Sequence, residues 1–296
     1  MPPTTKVNEM AEVKRVTFGS LLVALDGSVH SLWVLQQAAA LAGQLRIGLQ
    51  ALVIEDESLL RLAELPFARE VSRKSGIERT LDAVQLKRAL RARSSQFQQV
   101  IDRVAAGGQI SANLRVVRGH YLAEALSATT STDLLLLGSA GQGFTIAARQ
   151  QHDSGAKTRS TATMALYRST RKSTCTVLYT GTDTAARALD MAVKLIDAPP
   201  SLSSSQSPAP LLTVLIASHT VEDAARLREQ ASKILAATPR PHQLIDVRVT
   251  NAVDIIRYLR RSGCAMLVIP RSDGEVLLPQ VSGLLHELDC PLVLVG

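Results

Sequence analysis

Leu22-Val23-Ala24-Leu25-Asp26-Gly27-Ser28 is an apolar run that ends in an acidic residue, a glycine and a serine. The apolar part predicts a buried strand over Ser20–Leu25, and apolar residues with helical spacing follow from Val29 to Ala42. A strand that turns directly into a helix is typical of the first unit of an α/β fold. The same alternation continues along the chain, and it predicts a mainly parallel sheet.

The rest of the first half repeats this pattern. Strands are predicted at Ile47–Ile54, Ile110–Val117 and Asp133–Gly138, and the last contains four consecutive leucines. Such a run indicates a strand that is covered on both faces. A short helix is predicted over Tyr121–Thr129. A long insertion over about 58–107 has helical spacing in its second part.

The second half alternates in the same way, and a Pro/Ser-rich linker over 199–210 interrupts it. Its predicted strands are Cys175–Thr180, Leu211–Ala217, Leu244–Val249, Ala265–Ile269 and Pro291–Val295, and its predicted helices are Thr184–Leu195, Val221–Ala237, Ala252–Arg261 and Val281–Leu288.

The two halves match element for element, which indicates an internal duplication. Leu25–Ser28 falls on Tyr179–Thr182, each between a strand and a helix. We therefore predict two Rossmann-like repeats, 1–172 and 173–296. Only Cys175–Thr180 is available both to end the first repeat and to open the second, and the helix behind it assigns it to the second. About nine strands are expected, and the first repeat is short of its edge strand.

Three motifs in this order resemble the universal stress protein family: the Leu22–Ser28 run, Arg118-Gly119-His120 before a short helix, and Leu137-Gly138-Ser139-Ala140-Gly141. The resemblance spans nearly the whole chain and is stronger in the first half. It implies an adenine nucleotide α-hydrolase-like fold in each repeat and a role in nucleotide sensing or stress regulation.

The resemblance also implies a nucleotide site. In ATP-binding members, the aspartate that ends the first strand and a residue at the end of the second strand hold the adenosine. A Gly-x-x-Gly motif then lets backbone N–H groups approach the phosphates. The candidate residues for binding ATP or AMP are Asp26, Gly27, Ser28, Val53, Gly138 and Gly141.

The chain departs from the family pattern at the phosphate end. Position 151 is a glutamine where the pattern has a glycine, and the basic residues of 149–172 stand against one acid, Asp153. In the second repeat, Thr180 replaces the aspartate and Pro270 replaces the first glycine, which removes a backbone donor. We interpret the second repeat as a structural partner, and a cofactor of ATP or AMP and no cofactor at all both remain open for the first.

Composition limits the other classes of function. The net charge of +7 is a mild basic excess, and the basic segment 69–93 lacks the interleaved aromatics of nucleic-acid binders, so nucleic acid is not a favoured partner. The three cysteines and six histidines show neither disulfide nor metal-ligand spacing. No apolar stretch is long enough to span a membrane, and residues 1–17 lack an apolar signal core, so we expect a cytoplasmic protein.

The residues supply no evident general base, metal site or activated nucleophile, so we predict a regulatory protein and not an enzyme. Two alternatives remain. The first is a nucleotide-free interaction scaffold that self-associates through the exposed sheet edge of the first repeat. The second is an ATP-hydrolysing enzyme of the related adenine-nucleotide group.

Overall fold

Strands and helices alternate through the computed structural model of the chain. It describes residues 18–71, 76–129, 134–138, 174–197, 211–218, 220–236, 238, 241–248, 252–262, 264–271 and 290–296. The candidate Gly141, the basic residues of 149–172, the 199–210 linker and the helix predicted over Val281–Leu288 lie outside these ranges.

In the first half the elements are β1 (Ser20–Leu25), α1 (Val29–Leu45), β2 (Gly48–Asp56), α2 (Glu57–Ala63), β3 (Arg69–Val71), β4 (Glu78–Thr80), α3 (Ala83–Ala106), β5 (Ala112–Gly119), α4 (Tyr121–Ser127) and β6 (Leu134–Leu137). In the second half they are β7 (Thr174–Tyr179), α5 (Asp183–Asp197), β8 (Leu211–Ser218), α6 (Val221–Leu235), β9 (His242–Arg248), α7 (Ala252–Ser262), β10 (Cys264–Pro270) and β11 (Leu292–Val295).

Nine of these strands form one continuous sheet in the order β5-β2-β1-β6-β11-β10-β7-β8-β9. Every neighbouring pair is parallel except β6 and β11, which are antiparallel. The predicted α/β class and the predicted count of about nine strands are confirmed. The strand Cys175–Thr180, here β7, lies between β8 and β10, where the opening strand of a second repeat belongs. The boundary at residue 172 stays a prediction.

Helices cover both faces of the sheet because its central strands are apolar on both sides. In β1, Leu21 and Val23 face a core that α1, α3, α5 and α6 share, while Leu22 and Ala24 face a second core with α4 and α7. All four residues of β6 are buried, as the run of leucines predicted. The sheet is therefore the middle layer of three.

One prediction about the edge of the sheet is wrong. The first repeat does lack a strand beyond β6, but that position is filled by β11 of the second half, with Leu137 opposite Leu292 and Leu134 opposite Val295. The edge that was expected to be open for self-association is therefore paired within the chain. Among the described strands, the outer ones are β5 and β9.

The insertion over about 58–107 contains a β-hairpin that the helical prediction missed. Helix α2 ends at Ala63, and Pro66 cannot continue it. Strands β3 and β4 then pair antiparallel, with Arg69 Nη1 3.2 Å from Glu78 Oε2 across the pair. Helix α3 starts anew at Asp82, whose side chain accepts hydrogen bonds from the backbone N–H groups of Val84 and Gln85.

Candidate functional site

Asp26 lies immediately after β1, and its carboxylate is held by two short hydrogen bonds. The backbone N–H of Ser28 and the hydroxyl of Ser31 both donate to Oδ1, at 2.9 and 2.6 Å. Ser28 and Ser31 are buried, while Asp26 is half-buried. Both bonds go to one oxygen, Oδ1, and they fix the direction of the carboxylate.

The position of Asp26 is a topological switch point of the sheet. From β1 the chain continues to β2 on one side, while β6 pairs with the other side of β1. Ligands of open α/β sheets bind outside the carboxyl ends of strands where connections diverge in this way. Asp26 and Gly138 follow β1 and β6, the two strands that flank the switch point. Both residues are candidates for one nucleotide site from the sequence, and the topology brings them to the same end of the sheet.

Tyr121 connects the ends of these two strands and was not singled out from the sequence. Its hydroxyl donates a 2.9 Å hydrogen bond to the carbonyl of Ala24 in β1. Burial raises the pKa of Tyr121 far above its ordinary value of 10.0, and the charge of Asp26 raises it further, while a backbone hydrogen bond from Gly138 acts in the opposite direction. The phenol therefore stays protonated and serves as a fixed donor. A tyrosine at the start of a helix that begins at a strand end was the available signal.

Two candidate glycines have distinct steric roles. Gly27 has φ of 71°, so the turn from β1 into α1 uses the left-handed region that glycine adopts at low cost. Gly138 packs closely on α1, because a Cβ atom there would lie 3.3 Å from Cγ2 of Val34. Because Gly138 has no side chain, the backbone at the end of β6 lies close to α1, the helix that follows Asp26.

Val53 does not lie at the end of its strand. It is opposite Leu25 and Val116 inside the sheet, its side chain is buried, and β2 continues to Asp56. The strand-end positions belong to Glu55 and Asp56. Glu55 Oε2 lies 3.0 Å from Nε of Arg118 on β5, and Asp56 accepts hydrogen bonds from the first turn of α2. Because the side chain of Val53 is buried, Val53 offers no exposed side chain to a ligand.

The corresponding turn of the second half has the same shape but different chemistry. Gly181 has φ of 80°, close to that of Gly27. Thr180 stands in place of the aspartate, and Thr182 accepts a hydrogen bond from the N–H of Ala185 at 3.1 Å, so its hydroxyl caps α5. Leu227 of α6 packs directly against Gly181. This turn is closed by an apolar side chain and offers no carboxylate.

Two small cavities, of about 220 and 170 Å³, lie away from the strand ends. Both lie on the α4 side of β2 and β5, and both include Leu52, Arg115 and Ala128 in their lining. They do not include Asp26 or Gly138. Within the described ranges, no group of three or more His, Cys, Asp or Glu side chains could hold a metal ion. No helix of the described chain is long and apolar enough to cross a membrane.

Comparison with known proteins connects this architecture to one family of folds. A universal stress protein from Archaeoglobus fulgidus superposes with a TM-score of 0.51 at 12% identity, over 93% of this chain and 96% of that one. The chain has the universal stress protein fold. The resemblance predicted from the sequence is thus confirmed at the level of the fold.

Other universal stress protein structures resemble the chain less well. One from Pseudomonas aeruginosa, described as putative, gives a TM-score of 0.48 at 12% identity over 94% of this chain and 93% of that one. A family protein from Burkholderia pseudomallei gives 0.30 at 18% identity over 42% of this chain and 96% of that one. No protein-family model and no curated protein matches the sequence. The sequence identity to these structures is only 12% to 18%. The comparison therefore shows the fold alone, and the function has to be argued from the residues of the site.

Proposed function

We propose that the protein is a tandem, universal-stress-type regulatory protein of the cytoplasm that binds an adenine nucleotide, ATP or AMP, at the switch point of its first half. The observation that carries this proposal is the carboxylate of Asp26. It lies at the carboxyl end of β1, one oxygen is fixed by Ser28 and Ser31, and the other would accept from a ligand. An oriented acceptor of this kind suits an adenine amine or a ribose hydroxyl.

Two described residues support binding of the adenosine part of such a ligand. Asp26 would accept a hydrogen bond from it, and the backbone of Gly138, which packs against Val34 of α1, would lie beside it at the end of β6. Tyr121 would hold the ends of β1 and β6 together below it. The bound nucleotide would supply a regulatory signal, since its occupancy would report the nucleotide pool.

We propose no turnover at this site. Among the described residues, the groups near Asp26 include two serine hydroxyls and a tyrosine whose pKa is strongly raised by burial and by the Asp26 charge. A phenol that stays protonated at neutral pH cannot serve as a general base. Steady release of inorganic phosphate from ATP by the wild-type protein, abolished by Asp26→Asn, would overturn this part of the proposal.

The binding experiment compares Asp26 with an aspartate that lies next to the corresponding turn of the second half. Asp26→Asn keeps an oxygen that can accept from Ser28 and Ser31, but it removes the charge and replaces the other oxygen by a donor. Loss of a charged hydrogen bond costs about 1.5–3 kcal/mol, so calorimetric titration with ATP and AMP should show affinity about 10–100-fold weaker.

The matched control is Asp183→Asn, in the first turn of α5 next to the equivalent turn of the second half. It should bind nucleotide as the wild type does. Equal loss in both variants, or no loss in Asp26→Asn while circular dichroism shows both folded, would contradict the assignment of the site to Asp26.

A second candidate is an interaction scaffold that binds no nucleotide. The edge of β6 is paired, so the observation in its favour is a set of exposed apolar side chains in the segment from α2 to the first turn of α3. Their exposed fractions run from 41% to 75%, and they are Leu62, Leu65, Phe67, Val71, Ile77 and Val84. Exposed apolar surface concentrated in this way is typical of protein contacts. Mass spectrometry of small molecules released from the purified protein separates the two candidates, since only the first predicts co-purified nucleotide.

A further inference from the structure

Two of the three cysteines, far apart in sequence, lie side by side at the starts of neighbouring strands. Cys264 is the first residue of β10, Cys290 lies two residues before β11, and the two strands are parallel. Neither residue is in a disulfide, and both are buried, with 4% and 5% of each residue exposed. They belong to the core on the α4 and α7 side of the sheet, whereas Cys175 belongs to the core on the other side.

A β-bulge directs Cys264 toward Cys290. Residues of a strand alternate between faces, so an unbroken β10 would place Cys264 on the side of Met266 and Val268. The register against β7 shifts between Cys264 and Met266, and Cys264 instead shares a core with Leu267 and Ile269. Bulges turn a side chain to the opposite face in this way and recur near functional sites. The irregularity puts Cys264 on the face that Cys290 occupies.

The spacing of the two backbones suits a disulfide. Adjacent strands lie about 4.8 Å apart, and disulfides join Cα atoms about 4.4–6.8 Å apart. The backbone N–H of Leu267 donates to the carbonyl of Pro291 at 3.0 Å, so the two strands are already paired beside the thiols. Cys264 and Cys290 also pack in the same core on this face of the sheet. Because the two strands are already paired here, a bond between the sulfur atoms needs little movement of the backbone.

The surroundings of Cys264 favour its thiolate. The hydrogen bond from the Cys290 thiol is the largest cause that lowers the pKa of Cys264, and it acts against burial, which raises it. The Thr176 hydroxyl and backbone N–H groups of Met266 and Thr176 also lower this pKa. Thr176 is fully buried, and its hydroxyl has no hydrogen bond of ordinary geometry to a described residue. The Cys264 sulfur is therefore a polar neighbour of this hydroxyl and not a regular hydrogen-bond partner. Burial raises the pKa of Cys175 instead.

We propose that Cys264 and Cys290 form a reversible thiol–disulfide pair that is oxidised by a hydroperoxide. The Cys264 thiolate attacks one peroxide oxygen, the O–O bond breaks, and the leaving oxygen departs as water after protonation, which leaves a sulfenic acid. The sulfur of Cys290 then attacks the sulfur of Cys264, the S–O bond breaks, and a second water leaves. Two thiols are oxidised to one disulfide, and one hydrogen peroxide is reduced to two waters.

Cys264 and Cys290 lie at the same end of the strands as Asp26. Because β6 and β11 are antiparallel, continuing the register by one residue from Leu137 and Leu292 places Pro291 opposite Gly138. Cys290 therefore comes one strand away from the end of β6 and about two strands, ~10 Å, from the end of β1. The thiol pair is a modification site that does not depend on nucleotide binding.

The test uses the full-length protein, first reduced and then treated with hydrogen peroxide. After unfolding, free thiols are alkylated with iodoacetamide and the peptides are mapped by mass spectrometry. The expected result is alkylation of all three cysteines before oxidation and of Cys175 alone afterwards. A Cys264–Cys290 linked peptide should appear with oxidation and disappear with dithiothreitol.

Alanine variants provide the matched control. Cys175→Ala should form the linked peptide as the wild type does, while Cys264→Ala and Cys290→Ala should not. The wild-type peptide map decides the question even if a variant folds poorly. Three alkylated cysteines after peroxide treatment, a linkage that includes Cys175, or conversion of Cys264 to a sulfinic acid without a disulfide would each overturn the proposal.

Discussion

Tyr121 is a single residue whose hydroxyl joins three parts of the candidate site. It donates to the carbonyl of Ala24, receives a backbone hydrogen bond from Gly138 and lies close enough to Asp26 for the carboxylate charge to raise its pKa. These contacts connect α4 to the ends of β1 and β6. A change at this position should therefore alter the stability of the site edge without removing the carboxylate.

Replacing Tyr121 by phenylalanine should destabilise the protein by about 0.5–1.5 kcal/mol at neutral pH, because Ala24 and Gly138 lose a hydrogen-bond partner. The folded pKa of Tyr121 is raised above its ordinary value of 10.0, so the contribution of its hydroxyl is fully present below pH 10.0. It is lost as the pH rises further, because the unfolded chain then ionises first. Urea unfolding at pH 7 and above pH 10 should show the difference between the two proteins shrinking. A difference that grows with pH would contradict this placement.

At the residue scale, the apolar runs placed Asp26, Gly27, Ser28 and Gly138 just after two strands, where the structure has them. Their role in binding a nucleotide came from the family resemblance and stays a prediction. Sequence reasoning missed Tyr121 and Ser31. Their roles depend on where α4 and α1 bring side chains relative to Asp26, and spacing along the chain does not carry that information. Gly141 and the phosphate end stay predictions.

The turns that join a strand to a helix are the elements that the two halves share most closely. Both place a glycine in the left-handed region, at φ of 71° for Gly27 and 80° for Gly181. The turn at Gly181 is also sterically closed, since an added Cβ would clash with Cδ2 of Leu227 in α6. A substitution here meets both backbone strain and a clash.

Gly181→Ala should therefore lower the free energy of unfolding by about 2–4 kcal/mol, from about 1–2 kcal/mol of left-handed strain together with overpacking against Leu227. The matched control is Gly43→Ala inside α1, where an added Cβ meets no atom within 4 Å. That variant should gain about 0.5–1 kcal/mol through helix propensity. Denaturant unfolding of both variants provides the measurement, and equal effects would show that the turn geometry is not as described.

At the scale of elements, the strands of the central sheet were predictable because burial on both faces produces continuous apolar runs. The hairpin β3–β4 was not, since each strand has three residues, all exposed or half-buried, and the pair is connected by the Arg69–Glu78 ion pair. Short strands that face solvent leave no apolar period to recognise. The helical spacing of the apolar residues in α3 dominated the pattern of the insertion, so the end of α2 and the hairpin before α3 were not recognised.

At the scale of the whole molecule, the two halves of the sheet are connected where β6 pairs with β11, and we call this pairing the joint. Four residue pairs connect the two halves across it, from Leu134 with Val295 to Leu137 with Leu292. Near the same joint, Nη1 of Arg271, which follows β10, donates a 2.9 Å hydrogen bond to the hydroxyl of Thr129, which follows α4. The halves therefore share backbone pairing and side-chain contacts.

A fragment of residues 1–172 should self-associate or aggregate, because removal of β11 leaves the backbone groups of β6 unpaired beside four buried leucines. Size-exclusion chromatography with light scattering compares the fragment with the full-length chain at equal concentration. A fragment that stays monomeric with the circular dichroism expected for its helices and strands would contradict the role assigned to the joint.

At this scale, the α/β class and the nine strands of the main sheet could be predicted from the sequence, but the joint could not, and the division into two repeats stays a prediction. The missing strand of the first repeat was evident from the single apolar run at Cys175–Thr180, and an open edge was the simplest consequence. Pairing of β6 with β11 brings together residues that are 155 to 161 positions apart, from Leu137 with Leu292 to Leu134 with Val295. β-pairing leaves no local signature of its partner.

The antiparallel joint also means that the peptide connection between the halves is not their only attachment. The two polypeptides obtained by dividing the chain between β6 and β7 would each carry one side of the joint and a complementary edge. Co-expressed, they would be partners in a split protein, reassembled by strand complementation. The two halves are thus joined as the subunits of a heterodimer are, although they belong to one chain.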